Sequence, residues 1–316
     1  MNHVIVTGAA GFIGQVLVQH LLQHGLGGRP VDAITAVDLH FAAPATDPRV
    51  EQVAGAIDAA ATRDRALARP ARAVFHLASL PSGAGESDYA AGRRVNLDAT
   101  LALLEALGQA GWPQPARFVY ASSIAVYGES LPAQVDESTP TAPALTYGTH
   151  KLACELLVAD ATRRGWVEGC SLRLPGVVAR PESRAGLLSA FMSDIFWRIA
   201  RGEPCTVPVR EDGRAWWISA RTCAANLAHA ATLEPAALRP TRSYPMPALW
   251  LSVGEVVGAL AGRFGAQAAA GIRYEPQPLV QRLFAEYPPL ATPLAQALGL
   301  RHDGDVDGLI KNVLGP

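Results

Sequence analysis

Thr7-Gly8-Ala9-Ala10-Gly11-Phe12-Ile13-Gly14 joins the β-branched run His3–Thr7 to a segment in which Ile13, Val16, Leu17 and Leu21 share one helical face, with Gly25 placed to stop the helix. Glycines at this spacing, after a strand and at the opening of a helix, permit a tight turn, close approach of a pyrophosphate to backbone, and close packing of helix on strand. The turn amides and the helix N-terminus then face the phosphates. A second strand is expected over Ala33–Val37, ending at Asp38. A carboxylate there can accept hydrogen bonds from the adenosine ribose and would repel a 2′-phosphate, and Leu39 and His40 supply no adjacent arginine, so NAD is expected over NADP. Taken singly, the glycines would also suit an ordinary turn, and Asp38 would suit a cap on the turn after it.

Further β-like runs at Ala73–Leu77 and Arg117–Ser122 are separated by helical stretches such as Arg93–Gly108. This alternation indicates an α/β fold with a doubly wound parallel sheet. The Ala-rich stretch Ala54–Ala73 reads as connecting helix and loop. After Arg173, Pro175, Pro181, Pro204, Pro208, Pro245 and Pro247 break the rhythm, so a smaller, irregular α/β substrate lobe is expected over 173–316. The dinucleotide-binding domain takes 1–172, with some later segments returning to it.

The 316 residues, 49% of them hydrophobic, can bury a large core. A net charge of −1, with no dense Lys/Arg face, argues against nucleic acid, and no apolar run is long enough to span a bilayer. Met1-Asn2-His3-Val4 leads straight into a strand, leaving no room for a cleavable leader, so a soluble, cytoplasmic protein is expected. Cys154, Cys170, Cys205 and Cys223 form no close pair and read as free, buried thiols. His20 and His24 have a metal-compatible spacing but no carboxylate in their turn, so no metal is expected and they read as solvent-facing.

Tyr147-x-x-x-Lys151 supplies the chemistry. Residues four apart share a helix face, so the Lys151 ammonium can sit beside the Tyr147 phenol and favour its ionised form. A free phenol, titrating near about pH 10, is a poor base at neutral pH. The spacing alone is common; its position downstream of a dinucleotide turn gives it meaning.

With His76-Leu77-Ala78-Ser79, Val95-Asn96-Leu97, Ala121-Ser122-Ser123-Ile124-Ala125-Val126-Tyr127-Gly128 and Tyr147-Gly148-Thr149-His150-Lys151, the chain resembles an extended short-chain dehydrogenase/reductase throughout its length. Leu80-Pro81-Ser82-Gly83-Ala84-Gly85-Glu86, the Leu172-Arg173-Leu174-Pro175 turn, and Val207-Pro208-Val209-Arg210 followed by Trp216-Trp217-Ile218-Ser219 resemble the branch of that family that oxidises D-erythronate. The resemblance implies a Rossmann core, bound NAD, and catalysis by Ser123, Tyr147 and Lys151. It also implies oxidation of the C2 hydroxyl of a small sugar acid to a 2-oxo acid. The cofactor contacts it implies are Gly8, Gly11, Phe12, Ile13, Gly14, Asp38, Ile57, Leu77, Ala78, Asn96, Tyr147, Lys151, Pro175 and Val177. Helices around Arg93–Gly108 and Tyr147–Thr162 would pair between subunits in a dimeric four-helix bundle. Gly55-Ala56-Ile57-Asp58 departs from the family pattern, because Ala56 stands where an acid commonly meets the adenine amino group.

The expected roles are Ser123 on the substrate hydroxyl, Tyr147 as proton acceptor, and Lys151 holding the phenolate and the nicotinamide ribose. A hydroxy acid needs a carboxylate anchor, and guanidinium suits that geometry. Arg173, Arg180 and Arg214 are the leading candidates in the second lobe, with Arg210 and Arg221 behind them, and Ser82 is a candidate for a polyol hydroxyl. Against these stand plainer readings: Ser123 as a turn hydroxyl, Tyr127 as a core aromatic, Ser82 as a strand terminator, His76 as a strand-end residue held by backbone. A nucleoside-diphosphate-sugar epimerase or dehydratase would use the same core with a larger pocket, and a non-catalytic NAD-sensing module would need no turnover.

Overall fold

The computed structural model describes residues 2–182, 188–238 and 241–315. Strand β1 (His3–Thr7) is buried at every position, as a strand covered on both faces must be. Its polar ends are satisfied internally: His3 Nε2 meets Thr35 Oγ1 at 2.9 Å, and Thr7 Oγ1 meets His76 Nδ1 at 2.6 Å. Helix α1 (Phe12–His24) follows and stops at Gly25, whose φ of +72° suits a glycine.

The chain continues through β2 (Ala33–Asp38), β3 (Val50–Ala54), α2 (Ala60–Ala66), β4 (Ala73–His76), α3 (Ser82–Ser87), α4 (Tyr89–Arg93), a π turn at Arg94–Asp98, α5 (Ala99–Gln109), β5 (Ala116–Ser123), α6 (Thr146–Arg163) and β6 (Val167–Leu174). The second half adds β7 (Gly176–Val178), α7 (Phe191–Arg201), β8 (Cys205–Val207), β9 (Arg214–Ser219), α8 (Ala220–Ala230), β10 (Ser243–Pro245), β11 (Leu249–Ser252), α9 (Val253–Phe264), β12 (Ile272–Tyr274), α10 (Pro278–Phe284), α11 (Pro293–Ala297) and α12 (Val306–Leu314). Among the described residues, seven strands form one wholly parallel sheet in the order β10-β6-β5-β4-β1-β2-β3.

The doubly wound parallel sheet expected from the alternation is therefore present. Strand order reverses between β1 and β4, which opens a crevice at their carboxyl ends. One face of the sheet buries Val4, Val6 and Phe75 against Leu17 and Leu21 of α1 and Leu227 of α8. The other buries Ile5, Val74 and Phe118 against Leu103 of α5 and Val158 of α6. Each strand thus alternates its side chains between two apolar layers.

Helix and strand bounds differ locally from the sequence reading. The stretch Arg93–Gly108 is one helical path interrupted by the π turn, in which the Asn96 carbonyl accepts from Cys154 Sγ at 3.1 Å and Thr100 Oγ1 at 3.2 Å. Beyond Arg173, β6 runs on to Leu174, β10 pairs with it, and α8 packs on the first sheet's face. The remaining segments build a second sheet, β11-β9-β7, over a separate core that includes Ile195, Phe196, Trp217, Val256 and Ile310. Cys154, Cys170 and Cys223 are buried, while Cys205 is half-buried. His20 is half-buried and His24 exposed.

A Cβ on Gly14 would run into the Gly8 carbonyl oxygen and lie 2.8 Å from Ala9 Cα, both backbone, whereas a Cβ on Gly258 of α9 would meet nothing within 4 Å. Gly14→Ala is expected to lose about 1–3 kcal/mol of stability through overpacking. Gly258→Ala should instead gain about 0.5–1 kcal/mol from helix propensity. Urea unfolding of both variants checks the contrast.

Candidate active site

A cleft of about 960 Å³ opens at the carboxyl ends of β1, β4 and β5. Gly8, with φ +69°, turns the chain out of β1, and a Cβ there would stand 2.7 Å from Ala78 N, so the loop after β4 packs directly on the turn. Gly11, Phe12, Ile13 and Gly14 line the cleft, and α1 has no side-chain cap. Its first N–H groups, which have no intrahelical partner, are thus presented to a ligand's phosphates. At the end of β2, Asp38 Oδ2 accepts from Ala10 N at 2.8 Å and Oδ1 from Leu39 N at 2.7 Å. Asp38 anchors the glycine turn and caps its own strand end, and each carboxylate oxygen retains lone pairs for ribose hydroxyls. The uncapped helix, the glycine turn and this carboxylate together fit a dinucleotide.

The other expected cofactor residues divide by placement. Leu77, Pro175 and Val177 line the cleft, whereas Ile57 is buried in the core beside Val37 and Val53. Asp58 turns to Arg94, at 3.4 Å. The buried Asn96 gives its side chain to the loop after β4: Oδ1 accepts from Leu80 N at 2.7 Å and from Ser79 Oγ at 3.1 Å, and Nδ2 donates to Leu80 O at 3.1 Å. It shapes the cleft wall without lining it.

Ser123, Tyr147 and Lys151 converge on the cleft from the end of β5 and the first turns of α6. Ser123 Oγ accepts from Ala125 N at 3.1 Å, capping the short 3₁₀ turn Ile124–Tyr127, so the turn-hydroxyl reading describes one of its contacts and its own proton stays available. Lys151 is buried; its Nζ donates to Ala121 O at 2.7 Å and stands 5.5 Å from the Tyr147 ring centroid. The four-residue spacing does bring these two side chains to one face. His76, fully buried, is held by the hydroxyls of Thr7 and Thr100 and not by backbone. Burial, with Lys151 nearby, depresses its pKa to about 3 and leaves the imidazole neutral.

Glu155 lies one turn beyond Lys151 and is closed off from solvent. It accepts from Ser122 Oγ at 2.5 Å, from Arg173 Nε at 3.0 Å and from Arg173 Nη2 at 2.8 Å, while Arg173 Nη1 donates to the Tyr127 hydroxyl at 3.0 Å. Arg173, expected to anchor substrate, is instead committed to this buried pair and does not line the cleft. Arg214 is likewise displaced from its expected role: it pairs with Glu255 at 3.0 Å and lies 4.4 Å above the Trp250 ring. Arg210 pairs with Asp212 at 2.9 Å, and Arg221 is exposed. Ser82 opens α3, but its side chain lies outside the described residues.

Arg180 is the candidate that does line the cleft, its guanidinium 5.9 Å from the Phe12 ring. Burial lowers its pKa, opposed by the neighbouring Tyr147. Among the described residues no carboxylate lies within ion-pair distance of Arg180. The arrangement sets a half-buried cation, a hydroxyl and a phenol around one space. Trp216, Tyr287, Met192 and Trp197 also line it, and no sequence rule assigned them there. The Trp216-Trp217 pair was visible as a motif, but only the folded β9 decides which indole turns to the cleft.

A family model described as the NAD dependent epimerase/dehydratase family matches residues 4–237. A D-erythronate dehydrogenase of Cupriavidus necator is 35% identical, covering 98% of this chain and 97% of its own length. A second, from Haemophilus influenzae, is 31% identical over 98% of each chain. Among solved structures, a nucleoside-diphosphate-sugar epimerase from Agrobacterium tumefaciens shares 34% identity with a TM-score of 0.90, covering 98% of this chain and 92% of that one.

Glu155→Leu leaves the Arg173 guanidinium buried without its carboxylate and is expected to cost about 3–5 kcal/mol in urea unfolding. Adding Arg173→Met should recover much of that loss, since apolar replacement of a whole buried pair is often near neutral. A single-variant loss below about 1 kcal/mol, the size of a surface pair, would strip Glu155 of this structural role.

Proposed function

The chain belongs to the NAD dependent epimerase/dehydratase family, and from that premise we propose that it oxidises the C2 hydroxyl of a small sugar acid, D-erythronate foremost, to the 2-oxo acid. Its end-to-end likeness to two D-erythronate dehydrogenases carries this reading. A cleft-lining arginine without an acidic partner among the described residues supports it, because a hydroxy acid brings the missing carboxylate.

In this mechanism Arg180 binds the substrate carboxylate and orients C2 toward Ser123 and Tyr147. Ser123, its oxygen already steadied by Ala125 N, donates its proton to the C2 hydroxyl oxygen and orients it. Tyr147, as the phenolate, takes the hydroxyl proton and becomes the neutral phenol. Lys151, fixed by Ala121 O, has two N–H groups left for the phenolic oxygen and the nicotinamide ribose. NAD supplies the hydride acceptor, and the chain supplies alignment and proton management. When NAD is bound, Asp38 would hold the adenosine ribose, and the glycine turn with the N-terminus of α1 would hold the pyrophosphate.

The similarity to an Agrobacterium nucleoside-diphosphate-sugar epimerase favours a second reading on the same Ser123, Tyr147 and Lys151. Such an enzyme would return hydride to its intermediate, with no net NADH. Absorbance of NADH with four- to six-carbon sugar acids, set beside UDP- and GDP-sugars, separates the two: turnover confined to nucleotide sugars would overturn the sugar-acid reading. The first reading also makes the protein a cytoplasmic enzyme of sugar-acid catabolism and a homodimer. In the dimer, α5 and α6, with Leu101 and Leu156 exposed on their outer faces, would pair with their counterparts in a four-helix bundle.

Tyr147→Phe should lower kcat by roughly a hundred- to ten-thousandfold, the share of a general base, with NAD affinity retained in calorimetry. Arg180→Ala should raise KM for the acid by roughly ten- to a hundredfold, as expected for a lost charge-assisted contact. Near-normal kcat in the first variant, or near-normal KM in the second, would reject that residue's role. Leu156 is 67% exposed in the single chain, and Leu156→Asp should convert a dimer to a monomer in light scattering. An unchanged mass would move the interface elsewhere.

A further inference from the structure

One wall of the cleft comes from two segments remote in sequence. Trp216 in β9 and Tyr287, three residues past α10, stack with ring centroids 4.7 Å apart and planes 18° from parallel, and both line the cleft that holds Ser123, Tyr147 and Arg180. Each has its polar atom engaged elsewhere. Trp216 Nε1 donates to Pro288 O at 2.7 Å, and the Tyr287 hydroxyl donates to Leu283 O at 2.8 Å. What Tyr287 leaves for a ligand is mainly apolar ring surface, with the buried Trp216 backing it.

The wall is also held in place. Trp216 is 1% exposed and meets Tyr127 edge-on, at 6.4 Å between centroids. The strap carrying Tyr287 is tied on one side by Tyr287 N to Arg214 O at 3.0 Å and by Trp250 Nε1 to Tyr287 O at 2.7 Å. On the other side Val135 N donates to Pro289 O at 3.0 Å, Ala291 N donates to Val135 O at 2.8 Å, and Glu137 Oε1 accepts from Leu294 N at 2.8 Å. Arg282 and Glu129, both lining the cleft, pair at 3.3 Å.

We propose that the stacked Trp216–Tyr287 pair is an apolar end-stop that sets the chain length of the sugar acid accepted. This rests on the sugar-acid reading and adds to it the residues that limit length. In a longer acid each added hydroxyl is carried toward ring surface that cannot replace the water it loses, and a buried hydroxyl without a partner is unfavourable. Strapping on both sides keeps the rings from yielding, so the discrimination is steric as well as polar.

The test compares wild type with Trp216→Leu and Tyr287→Ala, following NADH formation with four-, five- and six-carbon aldonates. Either variant should raise the ratio of kcat/KM for the six-carbon acid to that for the four-carbon acid at least tenfold, chiefly through KM, in line with the discrimination one added group gives. Should Trp216→Leu fail to fold, Tyr287→Ala, on the less buried ring, decides. Where turnover is lost, calorimetric binding of the six-carbon acid to the variant's NADH complex decides, tighter binding than wild type being the supporting result. A wild type active on four-carbon acids with the ratio unchanged in the variants removes the end-stop and leaves the sugar-acid reading standing. A wild type that turns over only nucleotide sugars removes both.

Discussion

A carboxylate sealed between strand and helix ties together the two elements that bring Ser123, Tyr147 and Lys151 to the cleft. Glu155 reaches Ser122 on β5 and Arg173 on β6 from α6, so one side chain ties the strand that ends at Ser123 to the helix that carries Tyr147 and Lys151. Two charges removed from water are unfavourable unless their hydrogen-bonding groups are matched, and here they are: Arg173 uses Nε and Nη2 on Glu155 and Nη1 on Tyr127. A well-packed apolar pair at the same place would hold the strands together but would not fix their register to the helix through directed bonds. The distance between a hydroxyl on β5 and a phenol on α6 is the quantity this arrangement controls, and hydride transfer is sensitive to shifts of that kind.

The same network stiffens the substrate side. Tyr127, bonded by Arg173, lies against Trp216, and Trp216 against Tyr287, so a path of packed rings runs from the buried pair to the strap between the lobes. Arg180 enters from just beyond β7, its carbonyl accepting from Trp197 Nε1 at 2.7 Å and its amide donating to Ser193 Oγ at 2.9 Å. Arg180 is thus held by α7 at the edge of the second core, while Ser123 ends β5 of the first sheet and Tyr147 and Lys151 stand on α6, which packs on that sheet.

Local rules made the first part legible. The strand, glycine turn and helix over His3–His24, the Asp38 strand end and the Tyr147/Lys151 face all depend on residues within a few turns of one another, where periodicity and spacing decide the outcome. The branch resemblance carried the substrate class, which spacing could not. Arg173 was misread because an arginine's direction depends on what lies beside it in space, and its partner is 18 residues away on the helix that packs against its strand. A lysine and a glutamate four apart on one helix, both on an otherwise apolar face, were the available signal for Glu155. Asn96 lies in a π turn, which no periodicity reports, and its side chain goes to the loop after β4, while the Pro288 carbonyl that anchors Trp216 is 72 residues further along the chain.

The return of β10 to pair with β6, and of α8 to cover α1, means the polypeptide crosses between its two halves more than once. Such threading makes the halves poor currency for recombination: a graft exchanging everything after Leu174 would strip the nucleotide half of an edge strand and of the helix shielding Leu17 and Leu21. New specificities in this lineage are accordingly easier to reach by altering single side chains on the strap than by swapping modules.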